Sequence, residues 1–110
     1  MQTIVELPEF RRRAKAIVTN EERTALVDYI AANPEVGVSL GGGLRKVGIP
    51  CEGGGKSGGY RTIYVLGGAH MPIFLVTVVA KNEKDKLTRA EQAAAVELAK
   101  ALVATYGNRR

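Results

Sequence analysis

The sequence predicts an α+β domain built on one small, mostly antiparallel sheet, and three observations carry that reading. Two segments before residue 34 have apolar residues at helical spacing. Three apolar or alternating runs lie between residues 44 and 80, separated by short, glycine-rich connections. A segment with its own start signal and an apolar stripe at helical spacing ends the chain. The expected order is βααβββα, with two N-terminal helices on one face and a C-terminal helix. A length of 110 residues suits one domain spanning residues 1–110.

The elements follow in order. Thr3 to Leu7 reads as a short strand stopped by Pro8. From Glu9 to Val18, Phe10, Ala14, Ile17 and Val18 fall on one helical stripe, with Arg11, Arg12, Arg13 and Lys15 on a solvated remainder. Thr19 and Glu22 form a capping box, in which a hydroxyl and a carboxylate take up free backbone N–H groups. The helix they open runs to about Ala32, is expected to bury Leu26, Tyr29 and Ile30, and stops at Asn33-Pro34.

The composition then changes: twelve of the 13 glycines lie between Gly37 and Gly68. Within that tract Leu44–Ile49 and Tyr60–Leu66 read as strands, and Gly41–Gly43 and Gly53–Gly55 as loop. Ile73–Ala80 is almost wholly apolar and rich in β-branched residues, which suits an inner strand covered on both faces. Gly67-Gly68 with Pro72 marks the hairpin before it. Thr88 and Glu91 form a second capping box, and Ala95, Leu98, Ala99, Leu102, Val103 and Tyr106 form the stripe of the last helix, closed by Gly107-Asn108. The two early helices cover one sheet face. The other stays partly open unless the last helix or a partner covers it.

Sixteen Lys and Arg against eleven Asp and Glu give a net charge of +5, which favours an anionic partner. Aromatic residues make up only 5% of the chain, too few for a base-stacking platform, so any RNA contact leans on charge. The single cysteine, Cys51, excludes an internal disulfide and a cysteine-based zinc site. No apolar run reaches the ~20 residues that cross a bilayer, and the N-terminus lacks the pattern of a signal peptide. The expected setting is cytoplasmic, with no membrane partner, no metal and no cofactor.

The segment from Gly43 to Tyr64 carries Arg45, Lys46, Lys56 and Arg61 against one acid, Glu52. It is not a nucleotide-binding P-loop, because Lys56-Ser57 leads through Gly-Gly-Tyr into a strand where that motif requires a helix. The stretches GLRKV, GKSGGYRTIY and IFLVTVVAKNEKDKLT, in this order, resemble the HigB branch of the RelE/ParE toxin superfamily over nearly the whole chain. That resemblance implies the RelE-like fold and a type II toxin–antitoxin system. It also implies an antitoxin partner, expected to be of helix-turn-helix type, and ribosome-dependent cleavage of messenger RNA.

By the same resemblance Arg61 holds the scissile phosphate and Lys56 is the basic residue just before it. Lys81, Asn82, Glu83 and Lys84 occupy the place of a basic cluster after the last strand. Asn82 stands where RelE has a catalytic arginine, and Thr88 is nearest to a stacking tyrosine. Lys56, Arg61, Lys81, Glu83 and Lys84 are the expected catalytic set. Arg45, Lys46, Tyr60 and Asn82 are the expected RNA contacts.

Cleavage through the RNA's own 2′-hydroxyl needs a base for that hydroxyl, cations around the charged phosphorane and an acid for the leaving 5′-oxygen. The fork of Arg61 fits two phosphate oxygens, and Glu83 is the best-placed carboxylate for the base. His70, the only histidine, falls in the hairpin turn and receives no catalytic role. Arg45 and Lys46 alternate along a strand, so only one faces the substrate, and Lys46 is favoured. Tyr60 and Tyr64 share a strand face, the pattern of core residues. Two other readings compete: a ParE-like poison of DNA gyrase, and a degenerate antitoxin-binding module.

Overall fold

A computed structural model describes residues 2–49, 59–68, 70–81 and 87–107. The chain runs through β1 (Ile4–Glu6), α1 (Pro8–Ile17), α2 (Asn20–Ala32), β2 (Val38–Gly41), β3 (Leu44–Ile49), β4 (Tyr60–Val65), β5 (Ile73–Ala80) and α3 (Arg89–Leu102). A π-helical turn over Val103–Gly107 ends the described chain. The five strands form one sheet in the order β1-β5-β4-β3-β2. Only the β1–β5 pairing is parallel, with Ile4 opposite Ile73. The α+β class and the flanking of the strands by helices agree with the sequence.

The structure adds a strand to the expected order. Val38–Gly41 pairs antiparallel with β3 through a tight turn at Gly41, Gly42 and Gly43, all three with φ between 66° and 103°. Those angles lie in the left-handed region that glycine enters without strain, so this part of the tract is a hairpin and not loose loop. A Cβ at Gly42 would also sit 2.9 Å from Cγ of Lys100, so the turn lies against α3.

Both capping boxes form. Thr19 and Glu22, and Thr88 and Glu91, exchange side-chain and backbone hydrogen bonds of 2.8–3.1 Å. Each satisfies two N–H groups that the first turn of a helix leaves free.

The sheet separates two apolar clusters. On the side covered by α1 and α2, Phe10, Ala14, Leu26 and Ile30 pack on Val47, Tyr64, Ile73, Leu75 and Val78. On the other side α3 lies over one end of the sheet, where Leu44, Val65, Phe74 and Ala99 are buried. The ring of Phe74 meets that of Tyr106 at 5.3 Å. Tyr29 does not join the core. It is 43% exposed, and Ala31 is buried in its place because the helix presents positions 26, 30 and 31 to the sheet.

Two connections show why the chain takes these paths. The buried Tyr64 hydroxyl donates to the Pro34 carbonyl at 2.8 Å and accepts from the Gly37 N–H at 3.1 Å. A Cβ at Gly37 would lie 2.4 Å from the Lys46 carbonyl oxygen, so only glycine allows that approach. Near the other edge, Arg13 is half-buried and donates to the Val78 carbonyl at 3.3 Å, which takes it out of the solvated face expected for Arg11–Arg13. Arg23 pairs with Glu6 and ties α2 to β1. The β4–β5 register shifts between Ile63 and Tyr64, where Thr77 pairs with Ile63 and Leu75 with Tyr64. Val76 is the extra residue, and β5 is bulged there.

Candidate functional site

The cations expected at the site arise from three adjacent strands. In β3, Leu44 faces the α3 side and Val47 faces the α1–α2 side, so alternation puts Lys46 and Gly48 on the α3 side. In β4, Ile63 and Val65 belong to the α3 side and Tyr60 and Tyr64 to the other, so Arg61 faces the α3 side. Gly48 stands directly opposite Arg61, and Val79 stands opposite Arg61 on β5.

Lys81 completes the group from beyond the end of β5. Its N–H donates to the Gly59 carbonyl at 3.1 Å, and its ammonium lies 3.6 Å from the place a Gly48 Cβ would occupy. The side chain therefore starts at β5 and ends at β3, crossing β4 next to Arg61. Lys46 lies two residues before Gly48 on the same face. Arg61 and Lys46 are half-buried and Lys81 is exposed. Three cations thus share the end of the α3 face that the buried cluster under α3 leaves free.

The other expected RNA contacts sit elsewhere. Arg45 lies on the opposite face from Lys46, and its guanidinium donates to the carbonyls of Glu35 (2.9 Å) and Gly37. It holds the turn between α2 and β2, beside Tyr64, which it opposes in the β3–β4 register. Tyr60 packs with the α1–α2 cluster, and its hydroxyl donates to the Glu22 carboxylate at 3.2 Å. That carboxylate also accepts from the Thr19 N–H, so the start of β4 is fastened to the start of α2. Lys56, Asn82, Glu83 and Lys84 lie outside the described residues, as does Cys51. Thr88 is the N-cap of α3 and has that structural task. His70 is exposed in the turn before β5.

The sequence reading passed over one residue of the site, Gly48. A signal was present: a lone glycine within a strand pattern marks a close approach by another group.

Chemically, the arrangement has the donors that a phosphate group requires. A guanidinium offers paired donors to two oxygens, and two ammonium groups add mobile point charges around it. Among the described residues no group of three or more His, Cys, Asp or Glu is placed to hold a metal ion. No described helix is long and apolar enough to cross a membrane.

A family model described as the RelE toxin of the RelE/RelB toxin–antitoxin system matches residues 4–109. The match covers nearly the whole sequence, and the chain belongs to that family of toxins, which pair with an antitoxin.

Proposed function

From that membership we propose that this toxin is a ribosome-dependent endoribonuclease of the HigB-like branch, cutting messenger RNA and so halting translation. The observation that carries the reading is the placement of Arg61, Lys46 and Lys81 on the same face of the sheet, beyond the part that α3 covers, with the Lys81 ammonium above the residue opposite Arg61. On this reading the protein works in the cytoplasm, on the ribosome, and its antitoxin is of the helix-turn-helix type.

The reaction proceeds by attack of a 2′-oxygen on the adjacent phosphorus. The 2′-hydroxyl proton goes to a base, the bond from phosphorus to the 5′-oxygen breaks, and that oxygen takes up a proton. A 2′,3′-cyclic phosphate and a 5′-hydroxyl end result. Arg61 binds the two non-bridging oxygens as charge accumulates on them, where a fixed donor pair is worth most. Lys81 and Lys46 add positive potential. The reading assigns proton transfer to Lys56, Glu83 and Lys84, and further RNA contact to Asn82. A site with no histidine base depends on the ribosome to align the 2′-oxygen with the scissile bond, and such orientation is worth several orders of magnitude in rate.

The test is expression in a translating extract, followed by primer extension on a defined messenger RNA. Cuts at ribosome-positioned sites that vanish in Arg61→Ala support the nuclease. Absence of cuts, with gyrase-linked DNA breaks accumulating instead, overturns it in favour of a ParE-like activity.

A further inference from the structure

We infer that Gly48 is a positioning residue for the Lys81 ammonium, its missing side chain leaving the berth in which that cation lies beside Arg61; the activity readout rests on the nuclease reading above.

Glycine inside a strand weakens it, by backbone entropy and by the lack of a side chain to pack. Such a residue usually has a backbone reason, and the described residues give Gly48 none. It is absent from the glycines with φ in the left-handed region, and a Cβ placed on it would meet no backbone atom of the described residues. Gly37, by contrast, is pressed against the Lys46 carbonyl. Among the described residues, the one heavy atom within 4 Å of a Gly48 Cβ is Nζ of Lys81, at 3.6 Å. The register then gives this contact its meaning, because Gly48 is the β3 partner of Arg61. Directly opposed positions have their Cβ atoms about 5 Å apart. An ammonium held over Gly48 is thus held within reach of any anion that Arg61 binds. Two cations kept on neighbouring positions repel each other, and a phosphate seated between them relieves that repulsion.

A β-branched side chain at position 48 suits a strand better than glycine does, yet it fills the space that the ammonium occupies. Fold and function therefore pull in opposite directions at this residue, and the experiment uses that. Gly48→Ala, Gly48→Val, Lys81→Ala and the double variant Gly48→Val/Lys81→Ala are compared by thermal unfolding and by ribosomal cleavage with kcat and KM separated. Gly48→Val is expected to unfold at or above the parent temperature while its kcat falls about tenfold or more, the order expected for removing a donor to developing charge. Gly48→Ala, whose Cβ meets Nζ at ordinary contact distance, loses less. The double variant is expected to match Lys81→Ala, because a residue that acts through Lys81 has nothing to act on once the lysine is gone.

Undiminished cleavage by Gly48→Val, or a double variant showing the product of the two single losses, overturns the inference. A parent protein that cuts no RNA sinks the nuclease reading instead. The role of Gly48 is then decided by binding to a single-stranded RNA oligonucleotide. The salt slope should fall by about 0.7 in Gly48→Val, one phosphate contact, with no further fall in the double variant. An unchanged slope in Gly48→Val refutes the positioning role.

Discussion

Tyr64→Phe removes one oxygen atom from a fully buried ring and tests how the sheet holds the turn between α2 and β2. The hydroxyl makes two hydrogen bonds, to the Pro34 carbonyl at 2.8 Å and from the Gly37 N–H at 3.1 Å. Each is worth about 0.5–1.5 kcal/mol net, so the pair sums to about 1–3 kcal/mol. Both groups are part-buried, and water recovers some of the loss at their exposed side, which brings the expected cost to about 1–2 kcal/mol. In a domain of this size that lowers the midpoint of thermal unfolding by about 4 °C or more. Urea unfolding is the direct assay, with the midpoint falling and the slope unchanged. Arg45→Ala should act on the same turn, because its guanidinium holds the Glu35 and Gly37 carbonyls. The two substitutions together should therefore cost less than their sum. A loss below about 0.3 kcal/mol for Tyr64→Phe, or strict additivity with Arg45→Ala, where linked neighbours couple by about 0.5 kcal/mol or more, would refute the reasoning.

Other expectations follow from single contacts. Gly37→Ala forces a methyl against the Lys46 carbonyl and should destabilise by about 1–3 kcal/mol in the same urea assay, the usual cost of overpacking. Thr62→Val should instead stabilise, by about 1 kcal/mol, because the Thr62 hydroxyl is fully buried without a hydrogen-bond partner among the described residues; a midpoint below the parent's would contradict this. The neighbours Arg45 and Lys46 should separate cleanly. Arg45→Ala lowers stability and spares the salt dependence of RNA binding, whereas Lys46→Ala reduces that slope by about 0.7 and leaves the unfolding midpoint within about 0.5 kcal/mol of the parent. Thr88→Ala removes the N-cap of α3 and should cost about 1 kcal/mol, read as a lower thermal midpoint.

What the sequence revealed and what it withheld divide along physical lines. Leu44–Ile49 and Ile73–Ala80 were legible to the residue, because their composition and their turn residues agree. The two Thr-x-x-Glu boxes were legible because capping is a local interaction over four residues. Val38–Gly41 was not, since four residues within a glycine tract carry too little alternation to show a strand. Tyr29 was misplaced because a helical stripe fixes a direction but not its width, and Ala31 proved enough to fill the contact. At the site, alternation alone separated Lys46 from Arg45. The meeting of Lys81 with Gly48 could not be read, because it joins residues 33 apart across a strand register that only tertiary pairing sets.

The bulge at Val76 sets the parity of the residues beyond it. Before it, Ile73 and Leu75 point to the α1–α2 side and Phe74 to the α3 side; after it, Val78 points to the α1–α2 side. In an unbroken strand every odd-numbered residue from Ile73 onward would share one face, and Lys81 would point under the helices with Tyr60. One additional residue in one strand reverses that count and delivers the lysine to the side of Arg61. A sequence of the same length that paired β5 without the bulge would leave the composition of the chain almost untouched and its last strand fully paired. It would also turn the ammonium into the apolar layer and leave the arginine without it, whereas deleting Val76 itself would keep Lys81 on the side of Arg61. The polarity of this surface is thus set by counting, and a graft or design that regularises the strand at its present length would erase the site while improving the sheet.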